Sequence, residues 1–133
     1  MSAMNQIQKH DPSRMLLLRT KETATRYEEA LKTAPKNDEC RLCSDLSTIK
    51  EFKYWRIVPN AFPYDRFFAI SEMLVSKRHT DENGLSEEEI AEWRELKNTV
   101  LSDNYDHIFE NLPKQKSIPH HIHYHLVTPI APE

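Results

Sequence analysis

Apolar residues in this chain fall into five patterned stretches. Ala24, Tyr27, Ala30 and Leu31 recur at helical spacing, with Pro35 just beyond, so a helix is expected over about residues 21–33. Two runs, Tyr54–Val58 and Phe67–Ser76, are rich in aromatic and branched residues and are expected to be strands. The segment joining them carries Pro59 and Pro63 and must turn or bulge, which makes the two runs antiparallel neighbours. Over about Ser86 to Leu101 the residues Ile90, Trp93, Leu96, Val100 and Leu101 form one apolar stripe, and Ser86 with Glu89 has capping-box spacing. A last strand is expected over His121–Val127, stopped by Pro129. Strands and helices mix without regular β-α-β alternation, so the expected fold is α+β: an antiparallel sheet with helices on one face.

The last strand has an unusual alternation. Side chains on a strand point to opposite faces in turn, so His121, His123 and His125 share one face and Ile122, Tyr124 and Leu126 share the other. Same-face neighbours lie about 6.6–6.8 Å apart. The apolar face is expected to bury against a helix, whereas imidazoles need polar partners if buried. Imidazole serves as nucleophile, general acid or base, or metal ligand. Three in a row allow one to attack while its neighbours orient it or donate to phosphate oxygens. Phosphoryl chemistry asks for that combination: an in-line nucleophile, and donors that neutralise charge on the equatorial oxygens.

Composition narrows the field. With 133 residues, 38% hydrophobic and 29% charged, the chain is expected to be a single globular domain over 1–133, with 1–38 an N-terminal extension carrying a helix and 40–127 the core. A formal charge of −3 argues against general nucleic-acid binding. The only glycine, Gly84, excludes a glycine-rich phosphate loop, so any phosphate site must be built from side chains or strand-end amides. Residues 1–10 lack the apolar core of a targeting signal, and the run Met15–Leu18 is too short to span a bilayer; a cytoplasmic protein is expected, with no membrane partner. In a reducing compartment the Cys40-x-x-Cys43 pair points to metal or redox chemistry. It supplies two ligands for a tetrahedral zinc ion, and His79 and one histidine of the 120–125 tract are candidates for the others.

The pattern His-φ-His-φ-His-φ-φ at 121–127 resembles the signature of the histidine triad (HIT) family of nucleotide hydrolases and transferases. Asn60-Ala-Phe-Pro63-Tyr64 resembles that family's Asn-x-aromatic-Pro-Tyr turn, and the run from Met73 to His79 resembles its strand ending in Pro-Lys-Arg-His. The resemblance covers about residues 40–127. It implies a HIT-like fold with a five-stranded antiparallel sheet and two main helices, often dimerised, acting on a nucleotide or dinucleotide. By position, His123 would be the nucleophile that forms a nucleotidyl intermediate, with His121 and His125 completing the catalytic set. His125 and Ser117 would contact phosphate oxygens, Asn60 the ribose, and Asn111 stands before the triad where relatives carry a similar residue. Some relatives bind structural zinc through Cys-x-x-Cys and two histidines; the matching set is Cys40, Cys43, His79 and His121.

The chain departs from the family in two places: the turn-to-strand segment 63–79 is longer than in typical members, and the stretch before the triad is unusual. The stretch before the triad, residues 111–117, holds no glycine, and Ser117 precedes His121 by four positions where three is usual. His120 is therefore a rival zinc ligand, although only His121 keeps alternation with His123. Lys77, Arg78, Lys114 and Lys116 are candidates for positive potential near the site. Two other functions compete: a metal-dependent enzyme using His121, His123 and His125 as ligands, with Asp65 or Asp106 as carboxylate, and a non-catalytic nucleotide-binding protein of the same fold.

Overall fold

A computed structural model of the chain describes residues 18–33, 40–43, 47–116 and 118–132. Ser117 lies outside the described residues, as does most of the extension before residue 38. Five strands form one antiparallel sheet: β1 (Lys50–Glu51), β2 (Trp55–Pro59), β3 (Phe68–Ser76), β4 (His107–Phe109) and β5 (His123–Pro129), in spatial order β1-β2-β3-β5-β4. The β2–β3 hairpin forms as the two aromatic, branched runs require, with Ile57 opposite Leu74. β5 slots between β3 and β4, placing His123 opposite Val75 and His125 opposite Met73.

Among the described residues three α-helices accompany the sheet: α1 (Lys21–Thr33), α2 (Glu87–Asn98) and α3 (Val100–Asn104). The Ser86 hydroxyl accepts from the Glu89 amide at 3.1 Å, and the Glu89 carboxylate accepts from the Ser86 amide at 2.8 Å, so α2 opens with the expected capping box. The helix does not run on to Leu101 unbroken. Thr99 sits at φ −126°, ψ −97°, and its hydroxyl donates to the Glu95 carbonyl. In an uninterrupted helix Leu101 would stand about 140° around the axis from Leu96; the break lets both bury, at 3% and 5% exposure.

Ile122, Tyr124 and Leu126 meet Leu96 and Leu101, with Trp55, Ile57 and Leu74, in the main core. The indole of Trp55 donates to the Glu89 carbonyl at 2.8 Å, and the Glu92 carboxylate accepts from the Tyr54 and Trp55 amides. These bonds fasten α2 to the start of β2. Val58, Val75 and Leu42 form a smaller cluster on the other side. The expectation that helices cover one face holds for α2 and α3. α1 instead stands by the turn between β2 and β3, beside the second face. The Asp65 carboxylate accepts from the Thr20 amide and the Thr23 hydroxyl, and Tyr27 packs edge-on against Phe62 at 5.3 Å.

Candidate active site and metal centre

Alternation along β5 separates the two sets of side chains as expected. All three histidines are nevertheless buried, at 1%, 7% and 5% exposure for His121, His123 and His125. His121 precedes the strand proper, yet its neighbour Ile122 donates to the Thr80 carbonyl at 2.7 Å, which holds this stretch against the end of β3. Each imidazole therefore needs a reason to be inside, and the reasons differ.

His121 belongs with the cysteines. The ligand atoms of Cys40, Cys43, His79 and His121 all lie within 4.8 Å of one another. Cys40 Sγ is 3.5 Å and Cys43 Sγ 3.3 Å from His121 Nδ1, and Cys43 Sγ is 3.1 Å from His79 Nδ1. A tetrahedral zinc shell with Zn–S near 2.3 Å and Zn–N near 2.0–2.1 Å places S and N about 3.6 Å apart. Donor types and spacing thus suit a metal ion and are compatible with zinc. His121 Nε2 donates to the Ser76 carbonyl at 2.7 Å, which leaves Nδ1 with its lone pair toward the sulfurs. Burial, and then the neighbouring Cys40 thiol, push the Cys43 thiol up; a divalent cation reverses that by favouring thiolate. His120 is exposed and takes no part. The cluster ties residues 40–43 to the ends of β3 and β5.

His123 and His125 line a cavity on the same face. His123 Nδ1 lies 2.9 Å from the His121 carbonyl. A carbonyl only accepts, so Nδ1 carries the hydrogen and Nε2 keeps its lone pair. Burial is the largest influence on His123 and lowers its pKa; the bond to His121 opposes this, and the charges of Lys116 and His121 add to the lowering. The ring is thus held neutral. His125 is pushed down to about 3, by burial first and then by His123, Arg19 and Lys116.

Asn60 and Asn111 border the same cavity. The Asn60 Oδ1 accepts from the Phe62 amide at 3.0 Å, which turns Nδ2 the other way; Nδ2 is buried and has no partner among the described residues. His125 Nδ1 is likewise buried without a partner among the described residues. Asn111 does not stand alone, because its Nδ2 donates to the Tyr64 hydroxyl at 2.9 Å.

Of the four candidate cations, Lys77 pairs with Glu51 at 2.7 Å and Arg78 with Glu89 at 2.7 Å, neither lining the cavity. Lys116 pairs with Glu110 at 3.6 Å and is close enough to bear on both His123 and His125. Asp65 is engaged by Thr20 and Thr23, and among the described residues neither His123 nor His125 belongs to a metal-sized cluster. The three imidazoles therefore divide between a metal group and a cavity. Two residues not expected at this site are Tyr64, 1% exposed, and Arg19, 5% exposed. The Arg19 guanidinium lies 4.4 Å from the Tyr27 ring centre and 4.7 Å from that of Tyr64, and its Nε donates to the Phe62 carbonyl. No local pattern in the sequence marks either residue for this site.

In comparisons with known proteins, the chain matches no family model, no curated protein and no solved structure. Among the described residues, no helix is long and apolar enough to cross a membrane.

Proposed function

We propose that the protein is a nucleotide phosphate hydrolase or nucleotidyl transferase working through a nucleotidyl-histidine intermediate on His123. The observation that supports this most is the content of one cavity wall: an imidazole nitrogen with its lone pair available beside two buried nitrogens, the Asn60 Nδ2 donor and His125 Nδ1, that lack partners among the described residues. A buried donor without a partner costs about 1–3 kcal/mol. Phosphate or ribose oxygens would remove that cost at Asn60. Arg41 and Arg19 also line the cavity, and among the described residues no aspartate or glutamate does, which suits an anion.

In the proposed reaction the His123 Nε2 lone pair forms a bond to phosphorus while the bond from phosphorus to the leaving group breaks. The leaving group departs with that electron pair and takes a proton from solvent. The imidazole becomes cationic, and the His121 carbonyl on Nδ1–H stabilises it. Water or another acceptor then attacks phosphorus, its proton is released, and the P–N pair returns to Nε2. The intermediate splits one difficult step in two.

The histidine triad resemblance adds a nucleotide or dinucleotide substrate and a homodimer to this proposal. It also makes the ion at Cys40, Cys43, His79 and His121 a structural zinc. With four protein ligands such a site has no open position, so its contribution is to hold His121, and through its carbonyl the tautomer of His123. Free thiolate ligands fit a cytoplasmic, reducing setting.

His123→Ala tests the reading. Turnover of a nucleoside phosphoramidate or dinucleoside polyphosphate is expected to fall by about 10⁴-fold or more, with circular dichroism and melting temperature preserved. Unchanged turnover in that variant removes the nucleophile. Tight nucleotide binding without turnover in the native protein across a broad substrate panel leaves a binding protein in its place.

A further inference from the structure

We propose that Tyr64 is a positioning residue: its hydroxyl, oriented by Asn111, fixes the tautomer of His125 so that Nδ1–H faces the ligand. The Tyr64 oxygen lies 2.9 Å from Asn111 Nδ2 and 3.3 Å from His125 Nε2. The amide nitrogen of Asn111 can only donate. The Arg19 guanidinium, 4.7 Å from the centre of the same phenol ring, can likewise only donate. Neither neighbour can accept the phenol's single hydrogen, and His125 Nε2 is the group within reach that can. A neutral imidazole accepting at Nε2 carries its hydrogen on Nδ1. That nitrogen is the one buried without a partner among the described residues, in a ring that lines the cavity. The phenol is itself held firmly, 1% exposed, its ring 4.6 Å from that of His125 and 5.6 Å from that of Phe109.

The consequence for catalysis rests on the nucleotidyl reading. With hydrogen on Nδ1, His125 donates to a phosphate oxygen; with the tautomer reversed, a lone pair faces that oxygen and repels it. Asn111 then acts on substrate through two intervening groups, not by contact.

The tautomer is read by nitrogen-15 NMR of the histidine rings in the metal-loaded full chain near pH 7.5, with His125→Asn identifying the signals. Native protein is expected to show His125 with hydrogen on Nδ1. In Asn111→Asp the new carboxylate can only accept, so the phenol hydrogen turns to it and His125 Nε2–H donates to the phenol oxygen: the tautomer reverses. Tyr64→Phe, which keeps the ring, releases Nε2 and lets His125 move toward the Nε2–H form that an unconstrained histidine prefers. Both variants are expected to lose about 10²-fold in kcat with KM changed less than about threefold. An Nε2–H tautomer in the native protein, or an unaltered tautomer in both variants, overturns the proposal. The spectrum reports whether or not nucleotide is turned over, so failure of this relay and failure of the nucleotidyl reading are separate results.

Discussion

The two faces of β5 are made by the same few residues and satisfied by different physics. On one face Ile122, Tyr124 and Leu126 enter a core with α2 and α3, where packing is mainly apolar; the Trp55 indole donates to the Glu89 carbonyl, and the Trp93 indole nitrogen is buried without a partner among the described residues. On the other, His121, His123 and His125 are buried just as deeply, and each needs a named polar partner. The leftover groups at the histidines gather at one place, the cavity wall. The histidine face keeps buried nitrogens without partners among the described residues beside an unprotonated nitrogen, the arrangement that the proposed ligand site calls for.

Four perturbations sharpen that contrast beyond the loss of the His123 ring. Chelation acts on the histidine face alone. Removing an ion present at about 1,000 times its Kd is expected to lower stability by about 4 kcal/mol, seen as a lower melting temperature that added zinc restores; no change on chelation of verified metal-loaded protein would remove the structural ion. Leu126→Ala acts on the apolar face alone. The side chain is 0% exposed, so the variant should lose about 3 kcal/mol in denaturant titrations, while folded protein keeps its kcat.

Acid comes next and again touches only the histidine side. His125 is held down near 3 in the folded protein, mainly by burial, whereas in the unfolded chain it binds a proton near 6.5. Between those values the unfolded state carries more protons, so stability falls as pH falls. The contribution should reach about 2 kcal/mol at pH 5. His125→Asn should lose correspondingly less than the native protein between pH 7.5 and pH 5, and equal losses would contradict the assignment. The smallest effect belongs to His120→Ala. The residue is exposed and outside the cysteine group, so stability should move by less than about 0.5 kcal/mol and bound metal per chain should not change. Loss of the ion would make His120, not His121, the ligand.

Long patterned elements were legible in the residues alone: the helix at 21–33, the capped helix from Ser86, the hairpin and the alternating strand. The Cys-x-x-Cys pair was legible as half of a metal group, because soft donors at that spacing have few uses; the full set with His79 and His121 came from the family resemblance. The short edge strands β1 and β4 were not, since two or three residues such as His107-Ile-Phe109 are too few to show a period. The break at Thr99 was hidden because the apolar stripe continues through it; only the need to bury both Leu96 and Leu101 reveals it. Tyr64 and Arg19 carry no pattern of their own. Their roles depend on which atoms meet across 45 or more positions of chain, as with Asn111 and the phenol, and no local spacing encodes that.

The most direct test of the central claim is rapid quenching of the native protein with a nucleoside phosphoramidate, followed by peptide mass spectrometry. The account predicts a nucleoside monophosphate attached through a P–N bond to His123, formed and consumed at the rate of turnover and missing from His123→Ala. Steady turnover with no adduct on that residue, or the adduct on His125 in its place, would contradict it.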